Sequence, residues 1–192
     1  IRQYATKYFD TDDFRMYLQH HNGQLPRYKS RYRTYIESGE TFFEIKAKNN
    51  KSRTIKKRIK SELPDDLICE NDISFLEKHT KFKREELKPS LNVSFYRLTL
   101  QNSQYKERVT IDLNLKAFNQ LHNKSFENLV IVETKQEQHI KSAMKQALKN
   151  QSILSNSFSK YCFSMTKLYP NLKQNNFKMK YKHINKLLYE TN

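Results

Sequence analysis

The sequence predicts an α+β fold around a mostly antiparallel sheet, and three observations carry that prediction. Alternation of polar and apolar residues recurs along much of the 192-residue chain, most plainly in Arg27-Tyr28-Lys29-Ser30-Arg31-Tyr32-Arg33-Thr34-Tyr35. Turn signals such as Asn22-Gly23 and Ser38-Gly39 punctuate these runs at hairpin spacing. Two stretches, Pro64 to Lys88 and Gln136 to Gln151, switch to helical spacing instead. No repeat, low-complexity tract or Pro/Gly linker divides the chain, so residues 1–192 are expected to form a single domain.

Taken in order, Tyr4 to Asp10 reads as a short strand, stopped by Asp10-Thr11-Asp12-Asp13. Thr11 or Asp12 would cap a short helix whose apolar stripe is Phe14, Tyr17 and Leu18. The basic strand follows, with Arg27, Lys29, Arg31 and Arg33 on one face. A two-residue turn at Ser38-Gly39 returns the chain as Glu40 to Lys48, where Phe42, Glu44, Lys46 and Lys48 share a face. Arg53 to Lys60 then sets Lys56, Arg58 and Lys60 opposite Ile55 and Ile59, so three consecutive strands show one cationic face. After the helical stretch to Lys88, Leu91 to Gln101 places Val93, Phe95, Arg97 and Thr99 together. Lys106 to Leu115 sets Val109, Ile111, Leu113 and Leu115 against Arg108, Thr110, Asp112 and Asn114. Leu129 to Lys135 is a further strand with Glu133 and Lys135 on one side. Ser159-Lys160-Tyr161 reads as polar punctuation, and Phe177 to Tyr189 as a closing helix with Ile184, Leu187 and Leu188 on its stripe.

Composition narrows the function. A net charge of +16 implies an anionic partner. With two glycines, Gly23 and Gly39, the chain has neither a Walker loop nor a dinucleotide-binding fingerprint, so side chains must hold any phosphate. Cys69 and Cys162 make no disulfide framework and suit a reduced, cytoplasmic setting. No apolar run reaches the length of a membrane span. The six histidines are scattered and adjacent ones diverge, which argues against a zinc site. No Ser or Cys nucleophile has an assembled set of partners, so acyl transfer is unsupported.

The signal is the recurrence of cations at alternating positions: Arg31, Arg33, Lys46, Lys56, Arg58, Arg97, Arg108 and Lys160. An open sheet would offer them to nucleic acid, although no nucleic-acid-binding motif is present. A closed barrel would turn them inward around a narrow polyanion. Among the acids, Glu133 stands out because it lies amid Leu129, Ile131 and Val132, where an unpaired carboxylate would be costly. Metal ligation or a salt bridge would each satisfy it, and Asp112 shares that ambiguity. An oxygen-liganded Mg²⁺ or Mn²⁺ completed by substrate phosphates is the reasonable metal.

Eight pieces in order resemble the VTC (vacuolar transporter chaperone) polyphosphate polymerase domain of the triphosphate tunnel metalloenzyme (CYTH-like) superfamily. They are Tyr8-Phe9-Asp10-Thr11, the basic strand Arg27 to Tyr35, Phe43-Glu44-Ile45-Lys46, Ile55-Lys56-Lys57-Arg58, Phe95-Tyr96-Arg97, Arg108-Val109-Thr110-Ile111-Asp112, Val132-Glu133-Thr134-Lys135 and Ser159-Lys160-Tyr161. The resemblance implies an antiparallel β-barrel tunnel with helices outside, and transfer of the ATP γ-phosphate to a growing polyphosphate. It assigns Arg31, Arg33 and Lys160 to the chemistry, Lys46, Lys56, Arg58, Arg97 and Arg108 to phosphate binding, and Glu133 to Mn²⁺ or Mg²⁺. It further implies ATP and polyphosphate as partners, an adjoining membrane protein, and a place at the cytoplasmic face of a membrane. Family members carry a further strand and helices before the point where this sequence begins, and the ExExK signature of the superfamily's triphosphatases is absent. The domain is therefore expected to lack its N-terminal segment. A triphosphatase, and a module that binds polyphosphate or inositol phosphates without turnover, are the alternatives.

Overall fold

The computed structural model describes residues 1–51, 53–103, 106–136 and 142–189. Eight strands form one antiparallel sheet: β1 (Arg2–Asp10), β2 (Arg27–Tyr35), β3 (Thr41–Lys48), β4 (Thr54–Ser61), β5 (Lys88–Asn102), β6 (Glu107–Phe118), β7 (Asn123–Phe126) and β8 (Ile131–Gln136). The order across the sheet is β4-β3-β2-β1-β5-β6, and β7 and β8 pair end to end along the outer edge of β6. The sheet curls into a half-barrel with helices outside it. Its two flanks face each other across the trough, for side chains of β3 and β4 and side chains of β8 line one cavity. Among the described residues β4 and β8 do not pair, so the wall is a half-barrel and not a closed ring.

Seven strands form where alternation predicted them, the short β7 is one the sequence reading did not include, and β6 carries an informative departure. Asn114 adopts φ 51°, and the β5–β6 register shifts beside it between Ser94 and Tyr96. Such a bulge inserts one residue and reverses the facing of all that follow. Thr110 and Asp112 therefore face the trough before the bulge, and Leu115 and Ala117 pack into its apolar end after it. Leu115 thus parts from Val109, Ile111 and Leu113, contrary to the unbroken alternation the sequence implies. Asn tolerates the left-handed conformation better than other non-glycine residues. The break also divides the partners of β6, with β8 on the charged half and β7 on the apolar half.

Two apolar clusters hold the sheet. On the convex side Phe9, Tyr32, Phe43 and Ile45 pack with Met16, Ile68, Leu76 and Phe82. This is where α2 (Ile73–His79) docks. It is the single α-helical turn pair in the stretch from Pro64 to Lys88, which otherwise holds two 3-10 turns, Glu70–Asp72 and Arg84–Glu86. At the apolar end of the trough Tyr4, Tyr8, Val93, Phe95 and Leu115 pack against α4 (Lys160–Leu168), with α1 (Arg15–His21) and α5 (Lys178–Tyr189) behind it.

The sequence reading missed α4. Ser159-Lys160-Tyr161 is not punctuation but a helix start, with the Ser159 hydroxyl accepting from the Cys162 N–H at 3.2 Å. Seven of its nine residues are buried, so it shows no polar stripe by which helical spacing could be recognised. The start of α1 also differs. Phe14 occupies the cap position at φ 56°, and the Asp10 carboxylate accepts from the N–H groups of Met16 and Tyr17 at 2.8 and 2.9 Å. Thr11 Oγ1 accepts from the Arg15 N–H at 2.9 Å, and Asp12 takes no part in the cap.

The β2–β3 turn is a four-residue loop closed by a Tyr35 N–H to Glu40 O bond, with Gly39 at φ 66°. Between β8 and residue 150, α3 spans Ala143–Asn150. Gln136 belongs to β8, and the Ile140 and His139 portion of the expected helix lies outside the described residues. Both cysteines are free. No helix among the described residues is long and apolar enough to cross a membrane.

Candidate functional site

Cross-strand register sets the floor of the trough. Tyr8 of β1 sits opposite Arg31 of β2, which sits opposite Glu44 of β3, which sits opposite Arg58 of β4. The next row in one direction is Lys29, Lys46 and Lys56, and in the other Thr6, Arg33 and Phe42. The far wall comes from β5, β6 and β8, where Arg97 faces Asp112, and where Arg108 and Thr110 face Lys135 and Glu133. The N-terminus of α4 supplies Lys160. These side chains enclose a cavity of about 340 Å³, and all nine residues assigned to the site from sequence line it.

Two carboxylates organise these cations. Glu44 is fully buried and accepts from Arg31 Nε and Nη2 at 2.9 and 2.6 Å, while Lys56 Nζ pairs with its other oxygen. Burial alone would raise its pKa, but Arg31, Arg33 and Lys56 outweigh burial and bring the carboxyl down to about 2. Arg31 also donates from Nη1 to the Tyr8 hydroxyl at 3.0 Å, so its guanidinium is fixed from two sides. On the other wall Asp112 takes a two-pronged contact from Arg97, at 2.6 and 2.7 Å, and a further one from Lys160 Nζ. Against burial, Arg97 and Lys160 hold the Asp112 carboxyl below its usual range. Asp112 is therefore a structural anchor of two cations.

Other cations lack such partners. Arg33 is 8% exposed, stacks over Tyr4 and Phe95, and among the described residues has only Thr6 Oγ1, at 3.4 Å, as a hydrogen-bond partner. Burial and the neighbouring Arg31 depress its pKa to about 10. Lys46 makes no ion pair among the described residues. Burial first, then Arg31, Arg33, Lys29 and Lys56, bring it to about 7. Arg58 lies over the Phe42 ring at 4.6 Å, and Arg108 is exposed at the rim with no counter-ion among the described residues. A desolvated cation without a paired carboxylate is costly, so buried Arg33 and half-buried Lys46 call for an anionic ligand, with the exposed Arg58 and Arg108 adding charge at the rim.

Glu133 sits differently from the sequence reading. Its side chain is 52% exposed and points into the trough, with Lys135 Nζ at 3.4 Å, so it is not a carboxylate trapped among aliphatic residues. Burial raises its pKa, but Lys135, Lys46 and Arg97 more than compensate, and it stays ionised. No group of three or more metal-binding acids, histidines or cysteines exists among the described residues. One half-exposed carboxylate does fit Mg²⁺ or Mn²⁺, which keep several waters and take the rest of their ligands from phosphate.

Glu44 and Lys29 are the site residues the sequence reading did not single out. Glu44 was detectable as the one acid on the cationic face of β2–β4, directly opposite Arg31.

A family model for the VTC domain matches residues 2–169. The chain belongs to the VTC domain family. Its structure is similar to that of a proposed adenylate cyclase from Bacillus halodurans, at 15% identity and TM-score 0.53, with 82% of this chain and 79% of that one covered. It is also similar to a proposed adenylyl cyclase from Hippeastrum described as having a dominant triphosphatase activity. There the identity is 12% and the TM-score 0.49, with 87% and 83% covered. At such identity the Bacillus protein speaks for a shared fold alone. No curated protein matches the chain. In this VTC domain the sheet is a half-barrel whose concave wall is cationic.

Proposed function

We propose that this VTC domain holds a linear chain of phosphates in its trough and transfers the γ-phosphate of ATP to the end of that chain. The observation that carries the reading is a cavity walled by cations, of which Arg33, Lys46 and Arg108 have no counter-ion of their own among the described residues. Arg31, locked by Glu44 and Tyr8, keeps two N–H groups for a phosphate oxygen, and Arg33 stands one row away on the same strand. Together they neutralise charge spreading over the transferred group, the main task in phosphoryl transfer. Lys160, fixed by Asp112, does the same from α4. Lys46, Lys56, Arg58, Arg97 and Arg108 bind the flanking phosphates. Glu133 would hold the divalent metal, which when bound supplies further charge neutralisation and orients phosphate oxygens.

The acids favour transfer over hydrolysis. A water nucleophile needs a base, whereas the terminal oxygens of a phosphate chain are already ionised near neutral pH. Glu44 and Asp112 are tied to cations, and the remaining acid, Glu133, is the proposed metal ligand.

Incubation with ATP and Mn²⁺, followed by polyphosphate staining of a gel and an orthophosphate assay, tests the reading. Chain growth supports it. Orthophosphate without growth would make the domain a triphosphatase. Tight, metal-independent binding with ATP unconsumed would make it a binding module.

A further inference from the structure

A second basic cavity of about 320 Å³ lies beside the trough, between the ends of β2 and β3 and the helices α4 and α5. Lys29, Lys46, Phe158 and Ser159 line both, so the two spaces share a wall. At that boundary Lys29 Nζ donates to Ser159 Oγ at 2.9 Å. The second space adds Arg27 and Lys48, directly opposite each other across the β2–β3 pair, and Lys180 from α5. No acid lines it among the described residues.

Like charges placed directly opposite in a sheet destabilise it. Here two successive rungs on the same face, Arg27 with Lys48 and Lys29 with Lys46, are both cationic and carry no intervening carboxylate. Arg27 Nε is buried without a hydrogen-bond partner among the described residues. The adjacent His20 imidazole stays neutral because of burial and of Lys29, Arg27 and Lys48 around it, with its pKa brought down to about 2. A pocket with two successive cationic rungs, no lining acid among the described residues and an unpartnered buried guanidinium nitrogen is built for a polyanion. Because the two spaces share a wall at the Lys29–Ser159 contact, one anion that parts this contact can occupy both.

We propose that this second cavity continues the phosphate path, so that Arg27, Lys48 and Lys180 select a linear polyphosphate longer than a triphosphate. The inference rests on the reading of the trough as a phosphate site. A triphosphate is satisfied by the trough cations alone, and only a longer chain reaches past the Lys29–Ser159 contact. These three residues set preference for chain length and take no part in the transfer itself.

The test compares inorganic tripolyphosphate with a long polyphosphate of defined length, titrated against the full chain and against a double variant, Arg27→Ala with Lys48→Ala, and a single variant, Lys180→Ala. Long chains gain statistically from having many equivalent registers, and that gain is common to wild type and variants, so the readout is the ratio of the two affinities. Losing two charge-assisted contacts lowers long-chain affinity by about tenfold or more. Tripolyphosphate affinity stays within about twofold. Removing both members of the like-charged Arg27–Lys48 rung should leave the melting temperature unchanged or raised, which separates the effect from misfolding. An unchanged ratio, or equal loss for both ligands, overturns the inference while the trough reading stands. If wild type binds neither ligand, the trough reading fails and takes the inference with it.

Discussion

Arg33 and Glu44 lie within one row of each other, yet their replacement should have opposite consequences. Arg33→Met removes a buried cation that makes no direct ion pair among the described residues, so the melting temperature should hold or rise while polyphosphate affinity falls by about tenfold or more. Glu44→Gln leaves Arg31 and Lys56 without their buried counter-charge, and stability should drop by about 3–5 kcal/mol. The Glu44 carboxyl has its pKa lowered from 4.5 to about 2 in the folded chain. Its stabilisation is therefore present above about pH 4.5 and lost as pH falls toward 2, and acid titration of Glu44→Gln should lack that step. Lys46 gives the reverse kind of signal. With its pKa at about 7 in the free domain, it must take up a proton to meet a phosphate above that pH. Binding should be strongest below pH 7 and weaken as pH rises. Lys46→Gln should flatten the profile, which isothermal titration across pH 6 to 9 would show.

At the level of elements, the β6 bulge and the α4 cap decide where the trough begins and ends. Asn114→Gly should fold normally, whereas Asn114→Val forces a β-branched residue into φ 51° and should cost about 1–2 kcal/mol in a thermal melt. Ser159→Ala removes the α4 cap and costs about 1 kcal/mol. It also releases Lys29 from its hydrogen bond at the junction of the two cavities. These two elements mark the limit of what the sequence disclosed. Strands β1 to β6 and β8 were legible because each has a half-wet face and so alternates in polarity. Helix α4 was not, because Cys162, Phe163, Met165 and Leu168 are enclosed on every side and leave no stripe to read. The bulge was invisible because Asn114 sits at a position alternation assigns to a polar residue anyway. Among the site residues, strand parity alone placed Arg31, Arg33, Lys46 and Arg97 together. It could not show that Glu133 is half-exposed and Glu44 buried, since exposure depends on how the flanks curl toward each other.

Across the whole molecule, the domain is assembled so that apolar burial bears the cost of gathering cations. The cluster around Phe95 and Phe163 fixes α4 against the sheet, and the convex cluster around Tyr32 and Phe43 fixes β1 to β3. Between them the rows Lys29, Lys46, Lys56 and Arg27, Lys48 stand side by side with few acids to separate them. That crowding makes ionic strength act in two directions. For the empty domain, added sodium chloride shields lysine from lysine and should raise the melting temperature. For the domain filled with polyphosphate, the same ions compete with the guest and should lower it. The two curves are expected to converge as sodium chloride accumulates, giving a protein whose response to a simple electrolyte reports whether its interior is occupied.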